Sequence, residues 1–316
     1  MDPLSDVLRA VRLTGAFFFH VAASPPWAAW AAEARELVPR VLPDAEHLIS
    51  YHVVMSGTCW GGAQGEPQVL LEPGDVIVFP HGDPHVMSSA DRGPAPVDTL
   101  PSVPARYAET LVIGDGRGPR TVLVCGFLGC DVRPYNPLLS ALPRCLHLRG
   151  LASGWLSGLP QQVVAESRQG DAGSETMLTR LAELMFLEAV RRHAAELPPG
   201  QTGWLAGLRD PVVAPALALL HGRPAHPWTL AELARQSATS RTVLAERFAQ
   251  IVNVPPMQYL TQWRLQLAAE QLAAGSMKVA TVAERVGYAS EASFSRAFKR
   301  ATGHAPATWR RARRPD

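Results

Sequence analysis

The chain has 316 residues, 47% of them hydrophobic, enough to bury a sizeable core and to form two domains rather than one. Its formal net charge of +2 hides an asymmetry: residues 205–316 carry 15 Arg and Lys against 7 Asp and Glu, whereas residues 1–204 carry 15 against 21. A basic C-terminal third on an acidic body points to a polyanion-binding module joined to something else. The four cysteines (Cys59, Cys125, Cys130, Cys145) lack paired C-x2-C spacing and no secretory signal is visible, so a reduced, cytoplasmic compartment is expected.

The run GAFFFHVAA (15–23) is apolar, but Asp2 and Asp6 precede it, His20 interrupts it and Pro25-Pro26 follow. It is too short to span a bilayer and reads as a buried strand. Further β-type runs follow between Pro and Gly turns: LISYHVVM (48–55), QVLLE (68–72), DVIVF (75–79) and RTVLVCGFL (120–128). With no helical periodicity between them, they predict an antiparallel sandwich or barrel. The stretch 88–107 is a long, polar, Pro-rich loop.

Within this region GDVIVFPHGDPHVMSS (74–89) is the most patterned segment. Gly74-Asp75 turns into a strand, Pro80 ends it, and Gly82 permits a tight return that points His85 inward. With Pro80, Gly82 and Pro84 present, His81 and His85 cannot be a helical i, i+4 zinc pair. The stretch CGFLGC (125–130) leaves two readings open for Cys125 and Cys130: a redox switch or soft-metal site, or small buried hydrophobes in a β core.

From Ser174, a candidate N-cap, helical spacing takes over through Leu178, Leu181 and Met185 until Pro198-Pro199-Gly200. The apolar face is wide, suiting either packing on its own domain or a partner helix across a dimer. From Trp204 onward everything reads helical. Thr229 and Glu232 have capping-box spacing, with Trp228 and Leu233 at the positions of a hydrophobic staple. The expected division is therefore 1–173, a helical linker or dimerisation segment over 174–203, and an all-α domain over 204–316.

Two segments of the last domain repeat each other: LARQSATSRTVLAERFAQIVNVPPMQYL (233–260) and VAERVGYASEASFSRAFKRATGHAPATW (282–309). Leu244 matches Phe294, Phe248 matches Phe298, Pro256 matches Pro306 and Tyr259 matches Trp309; Asn253 answers Gly303, and both residue types tolerate the left-handed conformation that ends a helix. The second turn is one residue longer. Each unit reads as helix, tight turn, helix, with Ser240 or Ser290 capping the second helix and the aromatic stripe locking it inward. The opposite face is free to enter a major groove. The helix between the units, 256–275, spans about 23 Å over fifteen residues, a spacer that sets two recognition helices in successive major-groove segments about 34 Å apart.

These repeats, with RLQLAAEQLAAG and VAERVGYASEASFSRAFKRATGHAP, closely resemble the tandem helix-turn-helix domain of AraC/XylS-type transcriptional regulators, over roughly 208–312. The resemblance implies binding to double-stranded promoter DNA, usually as a homodimer, and an RNA polymerase contact if the protein activates. Carried over by position, it implies DNA contacts by Arg241, Thr242, Ala245 and Glu246 in the first recognition helix, and by Glu291, Ala292, Ser293 and Arg296 in the second. The capping serines Ser240 and Ser290, and Lys299, complete the set. Glu246 and Glu291 suit cytosine amino groups and not phosphate; Arg296 suits guanine or phosphate. Arg241, Arg247, Lys299 and Arg300 read as phosphate contacts or solvated charges, and Arg310 to Arg314 as a basic tail.

Gly74, Pro80, Gly82 and His85 also resemble the second cupin motif, with Ser89 in place of its final asparagine. The first motif's H-x-H is absent: His52 stands alone, with His20, His47 and Glu66 as loose additions. The wider likeness over 5–203 is to the cupin-type sensor domain of a subgroup of these regulators, which implies sensing of a small effector or a chemical stress. His52, Trp60 and His85 are candidate effector-pocket residues, with Trp27 and Trp30 as further lining; His52, His81 and His85 are candidate metal ligands. The fold expected is thus an N-terminal antiparallel, cupin-like β-barrel followed by an all-α tandem helix-turn-helix domain. The function expected is transcriptional regulation without catalysis. Two alternatives remain: a metal-dependent cupin enzyme with a DNA-binding appendage, and a constitutive DNA binder whose barrel only dimerises.

Overall fold

The computed structural model describes residues 2–11, 13–90, 98–99, 110–114, 116–132, 134–150, 158, 162, 165–166, 172–198, 200–275 and 277–312. Most of the 88–107 loop, and Arg313 and Arg314, lie outside the described residues. The chain forms two compact units that do not follow its linear order. A β unit comprises 13–131 and 142–196, and a helical unit gathers 1–12, 132–141 and 197–316.

The β unit has two sheets. One is ordered β11-β6-β3-β10-β1-β9, from Leu146–Leu148 (β11), Val76–Phe79 (β6), His47–Ser56 (β3), Thr121–Cys130 (β10), Leu13–Ala23 (β1) and Thr110–Ile113 (β9). The other is β5-β4-β7-β2-β8, from Val69–Leu71 (β5), Cys59–Ala63 (β4), His85–Ser88 (β7), Ala28–Ala31 (β2) and Asp98–Thr99 (β8). The sheet-rich class agrees with the sequence, but the closed, wholly antiparallel barrel does not. The sheets stay separate among the described residues, and β1–β9 and β2–β8 pair in parallel.

The period of two along each strand builds the core. Phe19, Cys125, His52 and Ile77 lie in register across β1, β10, β3 and β6; Phe19, Cys125 and Ile77 belong to the buried cluster that also holds Cys59, Leu71, Phe79 and Met87. Ile49, Tyr51, Val76, Val78 and Leu128 occupy the other face, where Ala182, Met185 and Phe186 of the helix Ser174–Glu196 (α4) meet them. That helix packs on the sheet of its own unit. Ser174 is its first residue, and its hydroxyl donates to Glu166. Gly82, at φ +67°, leaves no room for a side chain: a Cβ would lie 2.3 Å from that of Ala34, the first residue of helix α2 (Ala34–Val41). The return that aims His85 inward therefore requires glycine.

The helical unit contains α1 (Pro3–Ala10), α3 (Pro137–Ala141), α5 (Trp204–Gly207), α6 (Val213–Gly222), α7 (Leu230–Gln236), α8 (Arg241–Val252), α9 (Pro256–Ala274), α10 (Val279–Arg285), α11 (Glu291–Thr302) and α12 (Pro306–Ala312). The repeat appears here as physics. Pro256 and Pro306 each open a helix at a position where the missing N–H costs nothing. Phe248 meets Tyr259 edge-on at 5.7 Å, and Phe298 meets Trp309 edge-on at 5.6 Å. Asn253 and Gly303 end α8 and α11 at φ +65° and +78°. The capping box is only half formed. Thr229 Oγ1 accepts from the Glu232 N–H, but the Glu232 carboxylate turns to His226 and Gln236.

Candidate nucleic-acid interface and the buried histidine pair

The recognition helices α8 and α11 are built alike from the cap upward. Ser240 Oγ accepts from the Val243 N–H and Ser290 Oγ from the Ser293 N–H, each at 3.2 Å. Such caps stabilise by about 1 kcal/mol each and fix where the helix begins. Leu244 and Phe248, or Phe294 and Phe298, are fully buried. Turning those residues inward leaves Arg241, Thr242 and Glu246 exposed on α8 with Ala245 half-buried beside them; on α11 it leaves Glu291, Ala292, Arg296 and Lys299 exposed with Ser293 half-buried. The Ser293 hydroxyl donates to the Ser290 carbonyl, so its proton is committed to the cap.

Three basic residues sit differently from their sequence reading. Arg247 is not a lone charge: its guanidinium holds Asp210 Oδ2 at 2.8–2.9 Å. Burial alone raises the Asp210 carboxyl, but N–H donors from Val213 and Val212 and the Arg247 charge outweigh it and hold the pKa below the usual range. Arg310 does not belong to a loose basic tail. It lies in α12, and its guanidinium donates to the Met277 carbonyl. Arg311 ends the basic turn of the same helix. One residue escaped the sequence reading: Val243 is 47% exposed beside Thr242. Its position off the Leu244/Phe248 stripe was the available signal.

In the β unit the structure brings His52 and His85 together, 33 residues apart in sequence and with Nε2 atoms 2.8 Å apart. The Asp83 carbonyl can only accept, so His85 Nδ1, 2.9 Å away, carries the proton there. His85 Nε2 is then a bare acceptor and His52 donates to it through Nε2–H. That leaves the His52 Nδ1 lone pair buried without a partner. Phe79 stacks on His85 at 3.8 Å. Burial pushes His85 down to about 4; burial first, then the neighbouring His85, pushes His52 well below its ordinary value. Both rings are neutral near pH 7.

The other proposed ligands go elsewhere. His81 is exposed and bonds the Leu142 carbonyl at 2.9 Å; His47 bonds the Pro80 carbonyl, and Glu66 pairs with Arg144. A transition-metal centre needs three or more converging donors. Among the described residues no group of three or more His, Cys, Asp or Glu side chains gathers in that way, and the two histidines are spent on each other. These residues do not fit a metal. Trp60 and Trp30 pair across to Ser88 and Val86 on the outer face of the five-stranded sheet, away from His85, whereas Trp27 is part of the core. Cys125 and Cys130 lie five residues apart on one unbroken strand, so they face opposite sides and stand about 16 Å apart. They cannot bridge to each other within one chain. Burial raises both thiols far above their ordinary range, and Cys59 and Cys145 to about 12.

Comparison with known proteins bears on both units. Residues 2–195 match the cupin family and residues 233–312 a helix-turn-helix domain family. An AraC-like transcription regulator of Streptomyces antibioticus is 34% identical over 98% of this chain and 99% of its own length. The chain belongs to the AraC-like transcription regulators. The helix-turn-helix-type transcriptional regulator AlkR of Acinetobacter baylyi is 28% identical over 98% of this chain and 99% of its own. The DNA-binding domain of AdpA, solved with target DNA, is 28% identical, covers 33% of this chain and 92% of that one, and has a TM-score of 0.31. As an AraC-like regulator this chain is a DNA-binding protein that carries a cupin domain. Among its described residues no helix is long and apolar enough to cross a membrane.

Proposed function

We propose that this regulator acts in the cytoplasm, binds double-stranded promoter DNA as a homodimer, and changes its binding when the cupin unit meets a small effector or a chemical stress. One observation supports it most: both recognition helices are capped and locked by buried apolar stripes, Leu244/Phe248 and Phe294/Phe298, while their N-terminal faces stay exposed. Contacts to DNA come from Arg241, Thr242, Ala245, Glu246, Glu291, Ala292, Ser293, Arg296 and Lys299, with Ser240 and Ser290 capping the two helices, and Arg296 reading guanine or holding a phosphate. Met177 and Leu184, exposed at helical spacing on α4, support a second copy as partner. RNA polymerase is a further partner if the protein activates. In the cupin unit the buried His52 Nδ1, whose lone pair has no partner, supports an effector that carries a hydrogen-bond donor.

Selection of genomic fragments by the purified chain tests the reading. Enrichment of a shared half-site, with binding that weakens steeply with salt, is expected. Recovery of random fragments would sink it.

A further inference from the structure

The helical unit is completed by two segments from distant parts of the sequence, and both meet one side chain. Gln266 lies in the middle of α9 and is 2% exposed. Its Nε2 donates to the Ala10 carbonyl at the end of α1 at 2.9 Å, and its Oε1 accepts from the Tyr135 N–H, just before α3, at 3.1 Å. Each segment has a second tie. On α1, Val7 is fully buried and Asp6 stands 3.9 Å from His221. Beside α3, the Tyr135 ring packs edge-on against Tyr259 at 6.0 Å, and Leu138 is buried. Losing either partner would leave a buried donor or acceptor of Gln266 unpaired, so the two segments dock together.

The covalent roots of these straps coincide. In sequence, residues 2–11 adjoin β1 and residues 132–141 adjoin β10; Leu13 and Cys130, the ends of those strands, are paired. Both straps are thus joined in sequence to one paired strand end. At the other end, α9 is the element shared by the two helix-turn-helix units. Tyr259 packs on Phe248 of the first unit, while Leu265, Ala268, Ala269 and Leu272 join the core of the second. Gln266 lies two turns beyond Tyr259, among the residues that join the second core.

We propose that Gln266 is a positioning residue that couples strands β1 and β10 to the helix joining the two DNA-reading units. The coupling rests on the regulatory reading above, since it presumes that α9 holds two helices on DNA. Linkage makes it reciprocal: DNA binding must be felt at the strands if the strands are felt at the DNA.

Hydrogen exchange on the full chain, with and without a genomic duplex recovered by the wild-type protein and with a scrambled duplex as control, tests it. The wild type is expected to show at least a twofold change in exchange over 13–23 and 121–130 when the recovered duplex binds. Gln266→Leu is expected to bind that duplex within about threefold of wild type yet lose the change. Gln266→Glu keeps the acceptor for the Tyr135 N–H and loses the donor to Ala10; exchange should rise over 2–11 alone, which separates a lost tie from general loosening. If Gln266→Leu does not fold, loss of the strand response in Gln266→Glu supports the coupling in its place. Strands that ignore the duplex in the wild type, or respond equally in a folded Gln266 variant, overturn the coupling. A wild-type chain that does not distinguish the two duplexes overturns the regulatory reading itself, and the coupling with it.

Discussion

In the first helix-turn-helix unit the turn runs Ser237-Ala238-Thr239, and in the second Val286-Gly287-Tyr288-Ala289. Both make the same backbone bonds: Ala238 N to Arg235 O and Thr239 N to Ala234 O, against Gly287 N to Glu284 O and Tyr288 N to Ala283 O. Ala238 and Gly287 are thus equivalent, and both have positive φ, +53° and +86°. Their surroundings differ. Ala238 is exposed, whereas a Cβ on Gly287 would lie 2.6 Å from the Ala225 carbonyl oxygen and 2.8 Å from its Cα. The first turn tolerates strain because it faces solvent; the second is packed against backbone that precedes α7. The units are two versions of one plan, and only the second is closed to change at its turn.

Gly287→Ala breaks the comparison most severely. It adds left-handed strain to a clash with backbone, which has no rotamer with which to yield. A loss of about 3 kcal/mol is expected, more than the strain alone costs. Chemical denaturation measures it; a loss below about 1 kcal/mol would mean that the Ala225 segment gives way.

The units also differ in charge. On α8 the Arg247 guanidinium is tied to Asp210, leaving Arg241 against Glu246; on α11 Arg296, Lys299 and Arg300 are exposed against Glu291. The second helix is therefore expected to supply more of the attraction to DNA. Arg296→Ala is expected to weaken a recovered duplex about tenfold. If Arg296 holds a phosphate, the loss is equal on all sequences and the salt slope falls by about 0.9; if it reads guanine, the loss is confined to duplexes with the intact half-site. Arg247→Ala should leave the salt slope unchanged and lower stability instead. A salt slope that falls in Arg247→Ala would show the ion pair opening on DNA.

A pH effect sharpens the contrast further, because only the first unit holds a buried imidazole. Trp204 Nε1–H donates to the Tyr259 hydroxyl, which donates to His221 Nε2, both at 2.7 Å. Burial drives His221 from 6.5 to about 3. Between those values the unfolded chain takes up a proton that the folded chain refuses. This contribution is complete above about pH 6.5 and is lost as pH falls toward 3, at up to about 1.4 kcal/mol per pH unit. Asp6, raised by burial, partly offsets it at the acid end. Because His47, His52, His85 and His193 are also lowered, the test is the difference between wild type and His221→Gln, whose amide oxygen still accepts from Tyr259. Parallel stability curves from pH 7 to 5 would remove His221 from the balance.

The sequence shows the helical repeat well because its signals are local: caps, aromatic spacing and terminal Asn or Gly are read within one turn of helix. What it hides is long-range. The His52–His85 bond joins β3 to β7 through sheet pairing that no spacing encodes, and the outward position of Trp60 depends on the register of β4. The parity that separates Cys125 from Cys130 was available once the strand was accepted as unbroken. Gln266 looks like any polar residue on an amphipathic helix. Its burial arises from segments that the chain returns to the helical unit 256 and 131 residues away.

Ala238→Gly gives the smallest effect and the most direct measure of what the first turn tolerates. Relief of the left-handed strain contributes about 1–2 kcal/mol, and the added freedom of glycine in the unfolded chain takes back about 0.4–1 kcal/mol. A net stabilisation of about 0.5 kcal/mol is expected, small enough to require paired denaturation curves. A destabilisation would mean that the Ala238 methyl makes contacts worth more than its strain. The two turns would then differ in how they are packed, and not in whether packing matters.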